Sequence, residues 1–337
     1  MKSDIIVGLQ HGDEGKGKVV LEIIKRNKYD YCLRFNGGPN AGHTVYKDGK
    51  KIILHQIPCG ILYNIKSIIG SGCMIDLNKL KDEIIKIKEI GIDVDSLLKI
   101  SYNCHIINKL HIQDDIDNNS IGSTCSGMRP VNRDKYDRKG TRICDLDKKY
   151  LKQYIGDCEI IDIYNEIDYT NSNVLCEGAQ GFELDIDYGK YPYVTSTHCV
   201  SGFVNTSSIP IKSICNVYGV CKIYDTYVGK YKFENINENS FKRLRILGEE
   251  YGSTTGRDRQ VNWLNLTRLR MSIIINSVTD LVINKCDILQ KLNIYKLIEN
   301  NKISEFNTFY EMTKYITTKL KDINLKNIIF SGNKYNL

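Results

Sequence analysis

Seven residues near the start of the chain, Gly12-Asp13-Glu14-Gly15-Lys16-Gly17-Lys18, carry the first recognisable chemistry. They follow the apolar run Asp4-Ile5-Ile6-Val7 and lead into Val19-Val20-Leu21. Backbone N–H groups of Gly12, Gly15 and Gly17 can approach a phosphate closely because no Cβ intervenes. A helix N-terminus just after them adds a favourable dipole, and Lys16 and Lys18 supply full charge. Gly12, Gly17 and Lys18 fit the phosphate-loop spacing G-x-x-x-x-G-K, but Val19 stands where Ser or Thr would help to hold magnesium. Asp13 would be repelled from a phosphate nest unless it handles a metal or a proton, and one carboxylate can do both. The plain alternative is a loop aspartate that caps the helix.

Four further stretches carry chemistry of the same kind. Asn40-Ala41-Gly42-His43-Thr44 closes a tight turn that begins Gly37-Gly38-Pro39. His43 titrates near neutrality, so it can neutralise charge on a transferring phosphoryl group or act as an acid. A lone loop histidine is otherwise structural. Asn284-Lys285-Cys286-Asp287 has the N-K-x-D form of a guanine reader. There the Asp287 carboxylate accepts from N1–H and the 2-amino group together, a pairing that adenine cannot offer. Residues 177–196 combine a glycine-rich turn with Gln180 and Thr195, groups suited to a base and a phosphate. Residues 251–265 place Thr254, Thr255 and Gly256 before Arg257 and Arg259. Such a loop can clasp carboxylates or phosphates through planar guanidinium groups, or it is simply a basic surface turn.

These stretches need a scaffold, and the pattern between them supplies one. Residues 4–7, 67–69, 174–177, 214–220 and 280–284 read as buried strands. Residues 78–90 place Leu80, Ile84, Ile87 and Ile90 on one helical face, with Gly91 as the stop. Residues 261–277 and 307–321 read as two more helices. The expected fold is α/β, with a largely parallel central sheet flanked by helices and a phosphate-loop-like nucleotide site outside the carboxyl ends of the strands. No linker divides the 337 residues, so residues 1–337 are expected to form a single domain. Net charge is +7 with the lysines spread along the chain, which suits an enzyme of anionic substrates rather than a nucleic-acid stripe. Twelve cysteines without a C-x-x-C pair argue against a zinc ribbon and for thiols in a reducing compartment. No apolar run spans a bilayer, and the first residues run straight into a strand, leaving no room for a signal peptide. The expected location is cytoplasmic.

Taken together, GDEGKGK, GGPNAGHT, EGAQG followed by LDID and YPYVTS, and TTGR resemble the adenylosuccinate synthetase family. The matches run in order from residue 5 to about residue 289, with a weaker end at Phe330-Ser331-Gly332. The chain's length resembles the compact archaeal or viral form. The resemblance implies a ligase that joins L-aspartate to IMP through a 6-phosphoryl intermediate, with GTP as co-substrate and one Mg2+ per active site. By that resemblance Asp13 takes the N1 proton of IMP and, with the Gly42 carbonyl, holds magnesium, while His43 is the catalytic acid. Gly12, Glu14, Gly15, Lys16, Gly17, Lys18 and Thr44 fall on the GTP side. So do Arg259, Lys285, Cys286, Asp287, Phe330, Ser331 and Gly332. The IMP site falls on Asn40, Ala41, Thr124, Gln180, Thr195 and Arg257, and the aspartate loop on Ser253, Thr254, Thr255, Gly256 and Arg257. Arg138 matches an arginine reaching IMP across a homodimer interface. No nucleic-acid or membrane partner is expected.

The chain departs from the family pattern at several places. His11 replaces a Trp or Phe, Leu21 an aspartate and Asn36 a glutamine, while Asp258 and Gln260 interrupt an arginine run. Asn262 and Asn265 alter the segment after it. A regulatory GTPase would need neither Asp13 nor His43 and would keep Ser or Thr at position 19. A closer alternative is a viral relative, working in a host cytoplasm, that ligates aspartate to dGMP in a 2-aminoadenine pathway, with ATP as a possible donor. Such relatives often carry serine at the loop aspartate, whereas this chain keeps Asp13 and Asp287, so IMP and GTP are the expected pair.

Overall fold

The computed structural model describes residues 1–47, 49–233, 238–252 and 256–333. Nine strands, all parallel, form the central sheet. From one edge to the other they run Asn327–Phe330, Asp280–Asn284, Ile214–Lys222, Lys2–Gly8 (β1), Asn173–Glu177, Tyr31–Arg34, Lys66–Ile69, Leu98–Ser101 and Glu159–Ile161. All five strands expected from apolar runs are present, and the sheet is wholly parallel.

Neighbouring residues of these strands feed two different cores. Ile5, Val7, Leu33, Val174, Cys176, Leu281 and Ile283 join one apolar cluster. Their neighbours Ile6, Cys32, Leu175 and Val282 join the other. A parallel sheet covered on both faces has this pattern, because alternate side chains point to opposite sides and neither side meets water. The helix Lys16–Arg26 (α1) covers one face with Val19, Val20, Leu21, Ile23 and Ile24. Leu266, Leu269 and Ile273 of the helix Leu266–Ile275 cover the other.

Two of the expected helices need redrawing. The helix Leu77–Glu89 starts one residue earlier than expected, capped by the Asp76 carboxylate, and buries Leu80, Ile84 and Ile87. Ile90 lies beyond its end and is 41 % exposed, and Gly91 follows at φ +85°. Residues 261–277 are not one helix. Gln260–Asn265 is a strand antiparallel to Tyr224–Tyr227, and the helix begins only at Leu266. Asn265 marks the switch, because its side chain accepts the Arg268 N–H and so caps the helix. The last helix, Phe309–Lys319, lies within the expected span and is capped by Thr308.

A second sheet of four strands (Tyr224–Tyr227, Gln260–Asn265, Tyr295–Glu299 and Lys302–Phe306) adjoins the main one. A separate hairpin, His43–Lys47 with Lys50–Leu54, carries His43. The parallel strands send their C-terminal loops to one rim: 9–15 after β1, 35–42 after Arg34, 178 onward after Glu177, 285 after Asn284 and 331 after Phe330. Each motif singled out in the sequence, apart from the arginine loop, begins there. Among the described residues no helix is long and apolar enough to cross a membrane, and the cysteines are unpaired and mostly buried.

Candidate active site

The loop after β1 is closed from beneath by its own acid. The Glu14 carboxylate accepts N–H bonds from Gln10 (3.1 Å) and Gly12 (2.8 Å) and the Lys16 ammonium at 2.7 Å. Burial would raise the Glu14 pKa, but Lys16 and these hydrogen bonds outweigh it and lower it. Lys16 also donates to the Gly12 carbonyl at 3.2 Å and to that of Gln180. Glu14 and Lys16 are therefore a buried pair in this state. The backbone still forms a nest, with Gly12 (φ +100°) and Gly15 (φ +86°) in the left-handed region and Gly15 capping α1. The Asn284 amide donates to the Glu14 carbonyl at 2.7 Å, tying the N-K-x-D segment to this loop.

His43 is oriented by a buried acid that the sequence reading did not name. Its Nδ1 bonds Glu177, which ends the strand Asn173–Glu177. Glu177 also accepts from the Arg34 guanidinium at 3.0 Å and the Cys59 N–H at 2.8 Å. Burial opposes the Glu177 charge, yet His43, Arg34 and Cys59 hold its pKa at about 2. Burial and Arg34 push His43 down to about 4 against the pull of Glu177. The ionised Glu177 only accepts, so Nδ1 carries the proton and Nε2 is left with its lone pair. That Nε2 is buried and has no partner.

Asp13 faces Arg259. The guanidinium Nη2 donates to Asp13 Oδ1 at 2.8 Å, and Nε lies 2.8 Å from Oδ2, off the line of a hydrogen bond. On its other side Arg259 donates to Glu250 at 2.6 Å. Glu250 is wholly buried and also receives Lys222 (3.2 Å) and the Tyr224 hydroxyl (2.6 Å). The enclosed setting raises the Asp13 pKa above its ordinary value, against the lowering effect of Arg259 and Lys222.

A cavity of about 460 Å³ joins these groups. Gly12, Asp13, Asn40, Ala41, Gly42, His43, Thr124, Gln180, Thr195 and Arg257 all stand on its wall. Asn40 Oδ1, His43 Nε2 and both amide atoms of Gln180 are buried without a hydrogen-bond partner. Leaving such atoms unpaired costs about 1–3 kcal/mol each, so their clustering marks a place for a polar ligand. The loop 118–123 and the side chain of Tyr227 also line the cavity. Those polar turn residues carried no signal that sets them apart in the sequence.

The guanine-reader segment sits beside the cavity, on the same rim. Lys285 takes a left-handed turn (φ +64°), the Cys286 N–H bonds the Ser331 carbonyl at 3.1 Å, and Lys18 donates to Ser331 Oγ at 2.9 Å. A Cβ on Gly332 would lie 3.1 Å from the Asp287 nitrogen, so the Phe330-Ser331-Gly332 turn packs directly on the reader. Gly17 and Thr44 meet where α1 touches the hairpin, away from the cavity wall. Gly256 and Arg138 are exposed and off that wall. Ser253, Thr254 and Thr255 lie outside the described residues.

The departures from the family pattern find partners of their own. His11 pairs with Asp225 at 2.9 Å and meets Tyr227 and Phe233 edge-on. Burial would lower its pKa, but Asp225 raises it. Asn36 bonds the Ala179 backbone in both directions, and Leu21 is core. Asp258 faces Arg245 at 3.6 Å, off the cavity wall. Gln260 donates to the Tyr231 carbonyl at 2.6 Å.

Comparison with known proteins places this geometry. The family model described as adenylosuccinate synthetase matches residues 5–156 and 147–325. The adenylosuccinate synthetase of Chlorobaculum tepidum is 36 % identical, across 95 % of this chain and 85 % of its own. That of Thermodesulfovibrio yellowstonii is 37 % identical, across 88 % and 80 %. The fully ligated adenylosuccinate synthetase of Plasmodium falciparum superposes with a TM-score of 0.86 at 28 % identity, covering 99 % of this chain and 97 % of that one. The succinoaminodeoxyadenylate synthetase of cyanophage S-2L, bound to dGMP and dATP, shares the fold (TM-score 0.77, 99 % and 93 % covered) at 18 % identity. With the family model and the curated relatives covering nearly the whole chain, it belongs to the adenylosuccinate synthetase family.

Proposed function

We propose that the cavity binds IMP and L-aspartate beside GTP, and that Asp13 and His43 carry the chemistry. Membership of the family makes the chain a ligase that forms a carbon–nitrogen bond, with GTP as co-substrate and Mg2+ as cofactor. The observation that carries the residue assignment is the convergence of unpartnered buried atoms of Asn40, His43 and Gln180 next to Asp13.

Asp13, with a carboxylate made more basic by its enclosure, accepts the N1 proton of IMP and leaves the 6-oxygen nucleophilic toward the γ-phosphoryl group. His43 waits with its Nε2 lone pair. An arriving phosphoryl group raises its proton affinity, so that Nε2 becomes a donor to the transferring group while Glu177 fixes the ring. The 6-phosphoryl group then leaves as the aspartate amine attacks C6. Asn40, Gln180 and Thr195 hold the acceptor nucleotide, and Arg257 holds a carboxylate. Asp13 and the Gly42 carbonyl offer oxygen donors of the kind magnesium takes, and both residues are on the cavity wall. Bound there, magnesium would neutralise the triphosphate charge. Asp287, now paired with Lys291 at 2.8 Å, would turn to the guanine edge. We propose a single catalytic unit over residues 1–337 and a homodimer in which Arg138 reaches a neighbour's cavity.

The test is an assay with magnesium and aspartate that crosses IMP and dGMP against GTP and ATP, with products read by mass spectrometry. Adenylosuccinate from IMP and GTP alone supports the reading; turnover of dGMP with IMP idle defeats it. GTP hydrolysis that persists without aspartate or acceptor would point to a plain GTPase instead.

A further inference from the structure

Arg259 is expected on the nucleotide side, yet its guanidinium sits between two carboxylates, 2.8 Å from Asp13 and 2.6 Å from Glu250. Glu250 cannot follow it if it leaves. Its carboxylate is wholly buried and anchored by Lys222 and by Tyr224 at 2.6 Å. Lys222 is itself buried and bonded to Thr226. This is a fixed anion holding a guanidinium against the one carboxylate the chemistry needs.

A cation that engages both oxygens of Asp13 leaves little room for a second one. A divalent ion brought within a few ångströms of that guanidinium would also be repelled, strongly so in an enclosed site. Asp13 is nevertheless reachable, since its side chain is 27 % exposed and lies on the cavity wall. The obstacle to a metal is therefore charge and occupancy rather than burial.

We infer that Arg259, held in place by Glu250, is a placeholder cation that keeps magnesium off Asp13 until the bound nucleotide draws the guanidinium away. The inference rests on the reading of Asp13 as a metal ligand. Glu250 is then a positioning residue that acts through Arg259. The arrangement makes metal loading conditional on substrate, because the vacant enzyme carries its own counter-charge. Glu250 also gives the guanidinium a place to return to after product leaves.

The test is manganous ion binding to the full chain without nucleotide, followed by the loss of the free-ion electron paramagnetic resonance signal. Thermal unfolding checks that each variant is folded. Arg259→Gln is expected to bind at least tenfold tighter than the parent, and adding Asp13→Asn is expected to abolish that gain. Glu250→Gln is expected to bind more tightly than the parent but less tightly than Arg259→Gln, since the guanidinium loses the anion that holds it beside Asp13, and binding no tighter than the parent's overturns the positioning role of Glu250. Arg259→Met, of similar length, replaces the glutamine variant should that one fail to fold. Equal binding by the Arg259 variants and the parent overturns the inference, as does a gain that survives Asp13→Asn. The reading beneath it is checked separately. If Asp13→Asn leaves the spectrum of the enzyme-bound manganous complex with GTP and IMP unchanged, the metal is not on Asp13, and both readings fall. Failure of the Arg259 arm alone leaves the proposed function standing.

Discussion

His43 is held on one ring nitrogen and unpartnered on the other, and the two sides make separate predictions. The fold lowers His43 to about 4 through burial and Arg34, whereas the unfolded chain takes up that proton near the ordinary value of about 6.5. The unfolded state thus binds more protons in that window, and stability falls as pH drops from about 6.5 to about 4, by at most on the order of 3 kcal/mol. Glu177, lowered to about 2, adds a second loss as pH falls below its unfolded value of about 4.3. His43→Asn should flatten the upper part of this acid slope in denaturant titrations run across pH, and leave the lower part. On the other nitrogen, the same variant should lower kcat by roughly 10²–10⁴-fold. Nitrogen-15 shifts of the His43 ring should show Nε2 gaining a proton only when nucleotide and acceptor are both bound. At this scale the sequence was informative about residues in glycine-rich turns and silent about their supports. Glu177 was visible only as the last residue of an apolar run, and nothing local says that such an acid faces His43. Glu250 lies in an ordinary Glu-Glu pair, and its role needs Lys222, Tyr224 and Arg259 brought in from elsewhere.

Elements position these residues through close contacts that tolerate little added volume. A Cβ on Gly17 would lie 2.8 Å from Val45 Cγ1 and 3.1 Å from the Thr44 carbonyl, so α1 rests directly on the hairpin that carries His43. Gly17→Ala should push the two apart, cost about 1–3 kcal/mol in stability, and lower kcat more than it raises the GTP KM. Thermal unfolding and steady-state kinetics on one preparation would check both. Asn284→Ala should break the tie to the Glu14 carbonyl. Its main effect should be a higher GTP KM with IMP KM unchanged, because the guanine-side turn loses its register with the phosphate loop. The strands were legible because buried parallel strands are short continuous apolar runs. The misjudged stretch, residues 261–277, shows the limit of that signal. Val261, Trp263 and Leu264, all buried, fit a helical face about as well as a strand, and only the pairing with Tyr224–Tyr227 decides.

At the scale of the whole molecule, Arg138 sits past the helix Met128–Tyr136 with φ +60°, exposed and off the wall of its own cavity. Should it serve a neighbour's cavity, chains carrying Asp13→Asn and chains carrying Arg138→Ala, each inactive alone, should regain part of their activity when mixed and allowed to exchange. No recovery, or a monomer by sedimentation at working concentration, would count against the shared site. The order of strands in the central sheet has a consequence of another kind. β1 is made first, but its neighbours are Asn173–Glu177 and Ile214–Lys222. One edge waits until residue 177 is made and the other until residue 222, the latter about 10–40 s after β1 at roughly 5–20 residues per second. Until residue 177 is made, Ile5, Ile6 and Val7 have neither sheet partner in place. The newborn chain is thus born with its centre first and its surroundings last. Protease protection of stalled nascent chains should appear late, and synthesis in cells should lean on whatever shelters the apolar strand β1 during translation.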